Sequence, residues 1–400
     1  MKKILTIMMV LALMFQISAI AQKTEKKTPD SGYVFTLTKE LPHTGVKNQY
    51  RSSTCWSFSA LSFFESEMIR MGKGEYDFSD MFCVRDAYEQ KVSKYVRMQG
   101  NINLAAGGAF HDVMHTIKTR GLMPESAYAG LQYSEPKHVH SEMDNALRAF
   151  MDVIIKNPNK KLSTAWYNAT MGILNAYLGV VPEKFNYNGK EYTAKSFAAE
   201  TGLNMDNYLD FGSYTHHPFY KNFILEIPDN WAWGETMNIP LDEMMQIIDN
   251  ALDKGYTIAW GSDISEKGFA YNKGLALTPE TDIAELGDSE KAKWEKLTEK
   301  ERNSQMYKFD NIITEKIITQ EIRQQEFDNY QTTDDHGMHI VGYGHDQTGK
   351  KYYYVKNSWG ADNKYDGYFY VSPSFMRLKT INILVHKDAV PKDILKKIGK

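Results

Sequence analysis

Apolar residues recur at helical spacing through the first half of the chain and at alternating or continuous positions through the last quarter. Trp56, Ala60, Phe63, Phe64 and Met68 fall near a 3.6-residue period that starts at Cys55 and stops at Gly72, which predicts a helix with a cysteine at its first turn. Similar patterns predict helix over about 79–98, 111–118, 141–177 and 241–252, with residues 101–110, including Gly107-Gly108, read as a loop. Residues 33–46 alternate as an extended segment, and 207–220 are aromatic and turn-rich without a readable period. Strand patterns begin at 256–262 and dominate 338–385, with Tyr352-Tyr353-Tyr354-Val355 and Ile381-Asn382-Ile383-Leu384-Val385 the clearest. The charged run 290–327 reads as a solvated helical surface. Helices first and strands last predict an α+β protein whose helical lobe faces a β lobe, with a cleft between them.

Composition narrows the function classes. With 42% hydrophobic residues, 13% aromatics and a net charge of −3, the chain can bury large cores and lacks the basic surface of a nucleic-acid binder. Lys2-Lys3, an apolar run over 4–15 and Ala19-Ile20-Ala21 have the layout of a cleaved secretory signal peptide. The expectation is export to the periplasm or the extracellular medium, with a charged lead-in over 22–32 and no membrane span in the mature chain. Two cysteines, Cys55 and Cys83, allow at most one disulfide, so stability must come from the core. A bridge between them would remove Cys55 as a nucleophile.

At a helix N-terminus, free N–H groups and the helix dipole favour a thiolate, although a lone cysteine serves equally well as a small buried hydrophobe. A nucleophilic reading needs a base and a group that orients it. His339, in His-Gly-Met-His-Ile-Val-Gly-Tyr-Gly, and Asn357, in Lys-Asn-Ser-Trp-Gly, supply the residue types. A strand from His339, a hairpin near 346–350 and a return strand ending at Asn357 would set the two side by side. Trp359 would shield their hydrogen bond from water. Metal chemistry is not expected: His138-Val-His140 and His216-His217 have no partner set in sequence, and neither HExxH nor paired Cys occurs. His111 and His115 read as surface or packing residues. Asp334 and Asp335 either solvate a loop or hold a substrate amino group.

Together, Gln49, Cys55-Trp56, Gly107-Gly108, His339 with Val-Gly-Tyr-Gly, and Asn357-Ser-Trp-Gly resemble a papain-like cysteine peptidase. In such enzymes the histidine and asparagine follow the cysteine by about 130–150 residues. Here roughly 150 more intervene, a size similar to the bleomycin hydrolase and aminopeptidase C branch, as are Phe78-Ser-Asp and the segment 386–395. The resemblance implies a two-lobe fold, with a helical lobe (about 45–130), a large mainly helical insertion (131–254), an antiparallel β-barrel-like lobe (255–388) and a short tail (389–400). It assigns Cys55 as nucleophile, His339 as general base and acid, Asn357 as its orienter and Gln49 as oxyanion donor. Gly107 and Gly108 would pair with a peptide substrate, and no cofactor is implied.

In that branch the C-terminal arm enters the cleft, and its carboxylate anchors the substrate amino group. The sequence here lacks the branch's terminal motif after 390–395, which leaves aminopeptidase specificity and a homo-oligomeric assembly open. The expectation is an aminopeptidase C-like peptidase, against an endopeptidase with an open cleft, an acyl transferase or an inactive binding protein on the same scaffold.

Overall fold

The computed structural model describes residues 32–281 and 297–400, so the predicted leader and nearly all of the predicted lead-in lie outside the described residues. The first helix runs Cys55–Arg70 and the second Asp80–Arg97, the latter capped by the Ser79 side chain on the Phe82 N–H. Helix Phe110–Thr119 follows the glycine loop. The long helical pattern of the middle divides into Ser141–Ile155 and Ala165–Leu178, with Pro158 in the break.

The β-rich last quarter builds one large sheet. Its central order is Tyr208–Gly212, Thr380–His386, Ile258–Ser262, His336–Asp346, Lys351–Lys356, Tyr368–Val371, and it runs on at both sides without closing into a barrel among the described residues. The barrel-like lobe is thus an open sheet. Residues 207–220, unreadable in sequence, supply strand Tyr208–Gly212, which pairs with Thr380–His386. The middle region, helical in most of its regular structure, thus also lends a strand to the sheet. It also contributes strands Asn222–Ile224 and Glu235–Asn238 to the sheet, and helix Leu241–Lys254 buries its apolar face in the sheet's core. The predicted extended segment is strand Phe35–Glu40, paired with the start of the 346–350 hairpin.

One apolar core lies within the helical lobe and a second lies between the sheet and helix Leu241–Lys254. Helix Cys55–Arg70 buries Trp56, Phe63, Phe64 and Met68, each worth about 1.5–3 kcal/mol of apolar burial. Its buried Glu65 accepts from Lys47 Nζ (3.0 Å), Thr44 Oγ1 (2.5 Å) and the Phe78 N–H (2.9 Å). Lys47 also binds Asp80 (3.1 Å) and Asp77 (2.8 Å), and these carboxylates hold its ammonium charged despite burial. Lys47→Met leaves Glu65 and Asp80 buried without their cation. It should lower unfolding stability by about 3–5 kcal/mol, read as a shift of the urea midpoint at constant slope.

Candidate active site

The loop before Cys55 is held from both sides. Gln49 N–H donates to Ser358 O (2.8 Å) and Gly360 N–H to Lys47 O (3.1 Å), which ties it to the β lobe. Arg51 N–H donates to His138 O (3.0 Å) and His140 N–H to Arg51 O (3.2 Å), which ties it to the insertion and gives that histidine pair a place in the wall. Tyr50 and Ser53 both take positive φ, 49° and 55°, the tight path that presents Cys55 at the helix start. Cys55 is partly exposed in the cleft and Cys83 is buried in the helical core. Both are free thiols, so no bridge consumes the nucleophile.

The histidine that meets Asn357 at this cleft is His336, not His339. His336 Nε2 lies 2.7 Å from Asn357 Oδ1, which also accepts from the Ser358 N–H at 2.8 Å. A carbonyl oxygen only accepts, so His336 carries its proton on Nε2 and keeps the Nδ1 lone pair for base chemistry. Trp359 covers this pair, its ring centroid 4.7 Å from that of His336. Gly337 then brings the strand against the nucleophile: a Cβ there would lie 2.6 Å from Ser59 Oγ and 3.3 Å from Cys55 O. The Gly337 N–H acts on the Cys55 sulfur and favours its thiolate.

His339 points to the opposite face. Its Nδ1 is 2.8 Å from Ser62 Oγ and its ring packs edge-on to Phe63, with its nearest helix partner seven residues along from Cys55, roughly 10 Å of helix. Ser62 Oγ in turn accepts from Lys356 Nζ (2.8 Å), so His339 belongs to a buried polar network under the helix. The expected role of His339 is thereby overturned. Two facts of strand geometry account for it. Gly342 pairs with Tyr354, but a bulge before it sets His339 opposite Lys356 rather than Asn357. Side chains alternate, so residues three apart face opposite ways.

Of the other predicted residues, Gln49, Gly107, Gly108, Trp359, Asp334 and Asp335 line the cleft, and Asn357 sits behind His336. Gln49 is buried, and its Oε1 accepts from Ser358 Oγ at 2.6 Å, which leaves the amide NH₂ to donate into the cleft. Gly107 and Gly108 differ from expectation in what crowds them. A Cβ on Gly107 would lie 1.9 Å from Asp229 Oδ2, and one on Gly108 2.8 Å from the Trp56 ring. Trp56 Nε1 also donates to Ala106 O (3.1 Å), so the nucleophile's neighbour fixes the glycine loop. Asp334 and Asp335 separate in role. Asp335 accepts from the Ile264 and Ser265 N–H groups (3.3 and 3.1 Å) and caps a loop, whereas Asp334 makes no hydrogen bond among the described residues. Asp229 escaped sequence reading, because nothing in Ile227-Pro-Asp-Asn connects it to Gly107.

Electrostatics of the pair follow from burial. Desolvation, then Asp334 and Asp229, pushes the Cys55 thiol up to about 12, against the pull of the Gly337 and Trp56 N–H groups. Desolvation takes His336 down to about 4, although Asn357 and Asp335 favour its protonated form. Alone, each partner is neutral. Their mutual attraction, about 4 kcal/mol for charges 4 Å apart at an effective dielectric of 20, works toward a thiolate–imidazolium formed as a pair.

His216 and His217, without partners in sequence, gain Glu226 in the fold, with ligand atoms within 4.8 Å of one another. Gln324 Nε2 donates to His216 Nδ1 (2.9 Å), since its other contacts fix the amide's orientation. The His216 proton therefore sits on Nε2, facing Glu226 at 3.1 Å, on the nitrogen a metal would need.

A thiol at a helix start, an imidazole oriented by a side-chain amide, and a glutamine donor across an α+β cleft define a papain-like cysteine peptidase. The chain belongs to the Peptidase C1-like family, whose sequence profile matches residues 6–303 and 288–400. It is similar to aminopeptidase C of Lactococcus lactis subsp. lactis, 20% identical over 397 residues, covering 89% of this chain and 84% of the relative. Aminopeptidase C of Streptococcus thermophilus is 22% identical over 409 residues, covering 92% and 85%. The crystal structure of PepW from Lactobacillus rhamnosis shares the fold, with a TM-score of 0.64 at 18% identity, over 91% of this chain and 84% of that one.

Proposed function

We propose that the protein is a cysteine aminopeptidase working through an acyl-thioester at Cys55. The observation that carries this reading is the joining of Cys55, Gln49 and His336, the last held by Asn357, at one cleft that also presents Asp229 and Asp334. The Cys55 sulfur attacks the scissile carbonyl, and its proton resides on His336 Nδ1. The oxyanion is met by the Gln49 amide and the Cys55 N–H, a contribution of about 10²–10³ in rate. His336 gives its proton to the leaving amine as the C–N bond breaks. Water then attacks the thioester while His336 takes a proton, releasing acid and thiol. Asn357 keeps Nε2–H in place throughout.

The curated relatives named above as aminopeptidase C support exopeptidase specificity, and so do carboxylates facing a site for a cationic amino terminus. Export through the 1–21 leader belongs to the same reading and rests on sequence alone. Fluorogenic substrates test the specificity: aminoacyl-coumarins with a free amino group should turn over at least 100-fold faster than their N-acetylated forms. Preference for blocked peptides would mean an endopeptidase, and transfer of the acyl group to added amines without hydrolysis would mean a transferase.

A further inference from the structure

Three observations converge on Asp229. A glycine pair beside a nucleophile offers a bare backbone edge on which an extended peptide can pair. Here Gly107 and Gly108 line the cleft with Cys55, but the space against Gly107 is taken: Asp229 Oδ2 stands 1.9 Å from where its Cβ would be. The acid is built in. Asn230 Nδ2 donates to Leu225 O (2.8 Å) and Gly234 O (3.0 Å), and Trp231 Nε1 donates to Asp112 Oδ2 (3.1 Å), which pins the segment to the helix after the glycines. Asp229 Oδ1 accepts from Asn103 Nδ2 (2.9 Å), and Oδ2 accepts nothing among the described residues.

The second carboxylate is Asp334, which lines the same cleft without a hydrogen bond among the described residues. Burial and then Asp229 push it up to about 8, so the two acids repel across a gap that a cation would relieve. The cation that acts most on Asp229 is Lys91, whose ammonium is bonded to the carbonyls of Ala105 and Gly107. Meanwhile the tail packs elsewhere. Lys397 pairs with Glu243 (2.6 Å) and Asn250 holds Ala389 O, both on helix Leu241–Lys254, and no cleft-lining residue comes from 383–400.

Resting on the aminopeptidase reading, we propose that Asp229 is the specificity-determining residue. Its carboxylate closes the glycine edge after one substrate residue and, with Asp334, pairs with the substrate's α-ammonium group. Length control and amino-group recognition then reside in an internal segment of the chain.

Two variants separate the steric and the charge parts. Asp229→Asn keeps the shape and the Asn103 contact. It should raise KM for alanyl-coumarin about 10- to 100-fold with kcat changed less than threefold, while N-acetylated peptides stay excluded. Asp229→Ala opens the edge, and cleavage of N-acetyl-dipeptidyl-coumarin should rise at least tenfold above wild type. Asp334→Asn should also raise KM for alanyl-coumarin. Stoichiometric alkylation of Cys55 in each variant shows that the site is assembled. Wild-type KM in Asp229→Asn, or continued exclusion of the acetylated dipeptide by alkylatable Asp229→Ala, would overturn the proposal. If wild type itself rejects free-amino substrates and accepts blocked ones, the aminopeptidase reading fails and the proposal with it.

Discussion

His336→Gln is expected to lower kcat/KM by about 10⁴-fold or more, whereas His339→Gln should stay within tenfold of wild type. The first change removes the imidazole bonded to Asn357. General acid–base catalysis alone contributes about 10²–10⁴, and loss of the thiolate partner adds to it. The second change alters the contact to Ser62 under the helix, so its cost should appear as stability, about 1–3 kcal/mol for a disturbed buried polar group, and not as chemistry. Steady-state kinetics on both variants, with thermal melts alongside, decide between the two histidines. Equal loss of kcat/KM in two well-folded variants would refute the assignment.

Cys55→Ala should abolish hydrolysis, a loss on the order of 10⁴–10⁶-fold. The thiol's own pH behaviour carries the finer test. Burial raises Cys55 toward about 12, so without a partner only about one molecule in 10⁵ holds a thiolate at pH 7. With His336 present, the imidazole takes the thiol's proton as the sulfur attacks, so reaction does not wait for a free thiolate. Iodoacetamide should therefore label wild type readily between pH 6 and 7. In His336→Gln the rate should collapse there and climb about tenfold per pH unit toward 12. Rapid labelling of His336→Gln at pH 7 would show that the helix start alone activates the thiol.

Most elements were legible because their periods are strong. Helix Cys55–Arg70, Asp80–Arg97 with its Ser79 cap, and the strands around 340–385 stand where the apolar pattern puts them. Cys55, Gln49 and Asn357 were legible as parts of short motifs, and all three line or support the cleft. The histidine was not, because a hairpin register counted from the 346–350 turn runs through an invisible bulge between Ile340 and Gly342. Gly337 was the available signal: a glycine directly after a histidine marks where a backbone must approach another element closely, and that element is the start of the nucleophile helix. Asp229 was illegible for a different reason. Its contact with Gly107 joins segments more than a hundred residues apart, and no local pattern records such a meeting.

The long separation between Cys55 and His336 has a consequence for the nascent chain. At 5–20 residues per second, synthesis takes roughly 15–55 s to travel from one to the other. Through that interval the helical lobe holds Cys55 without His336, and the strand that carries His336 and Gly337 against the helix start has not been made. The growing polypeptide is thus chemically silent toward its neighbours. Proteolytic competence arrives in a single late event, when the strand beginning at His336 docks against the first helix, and a truncated or stalled product carries no active site.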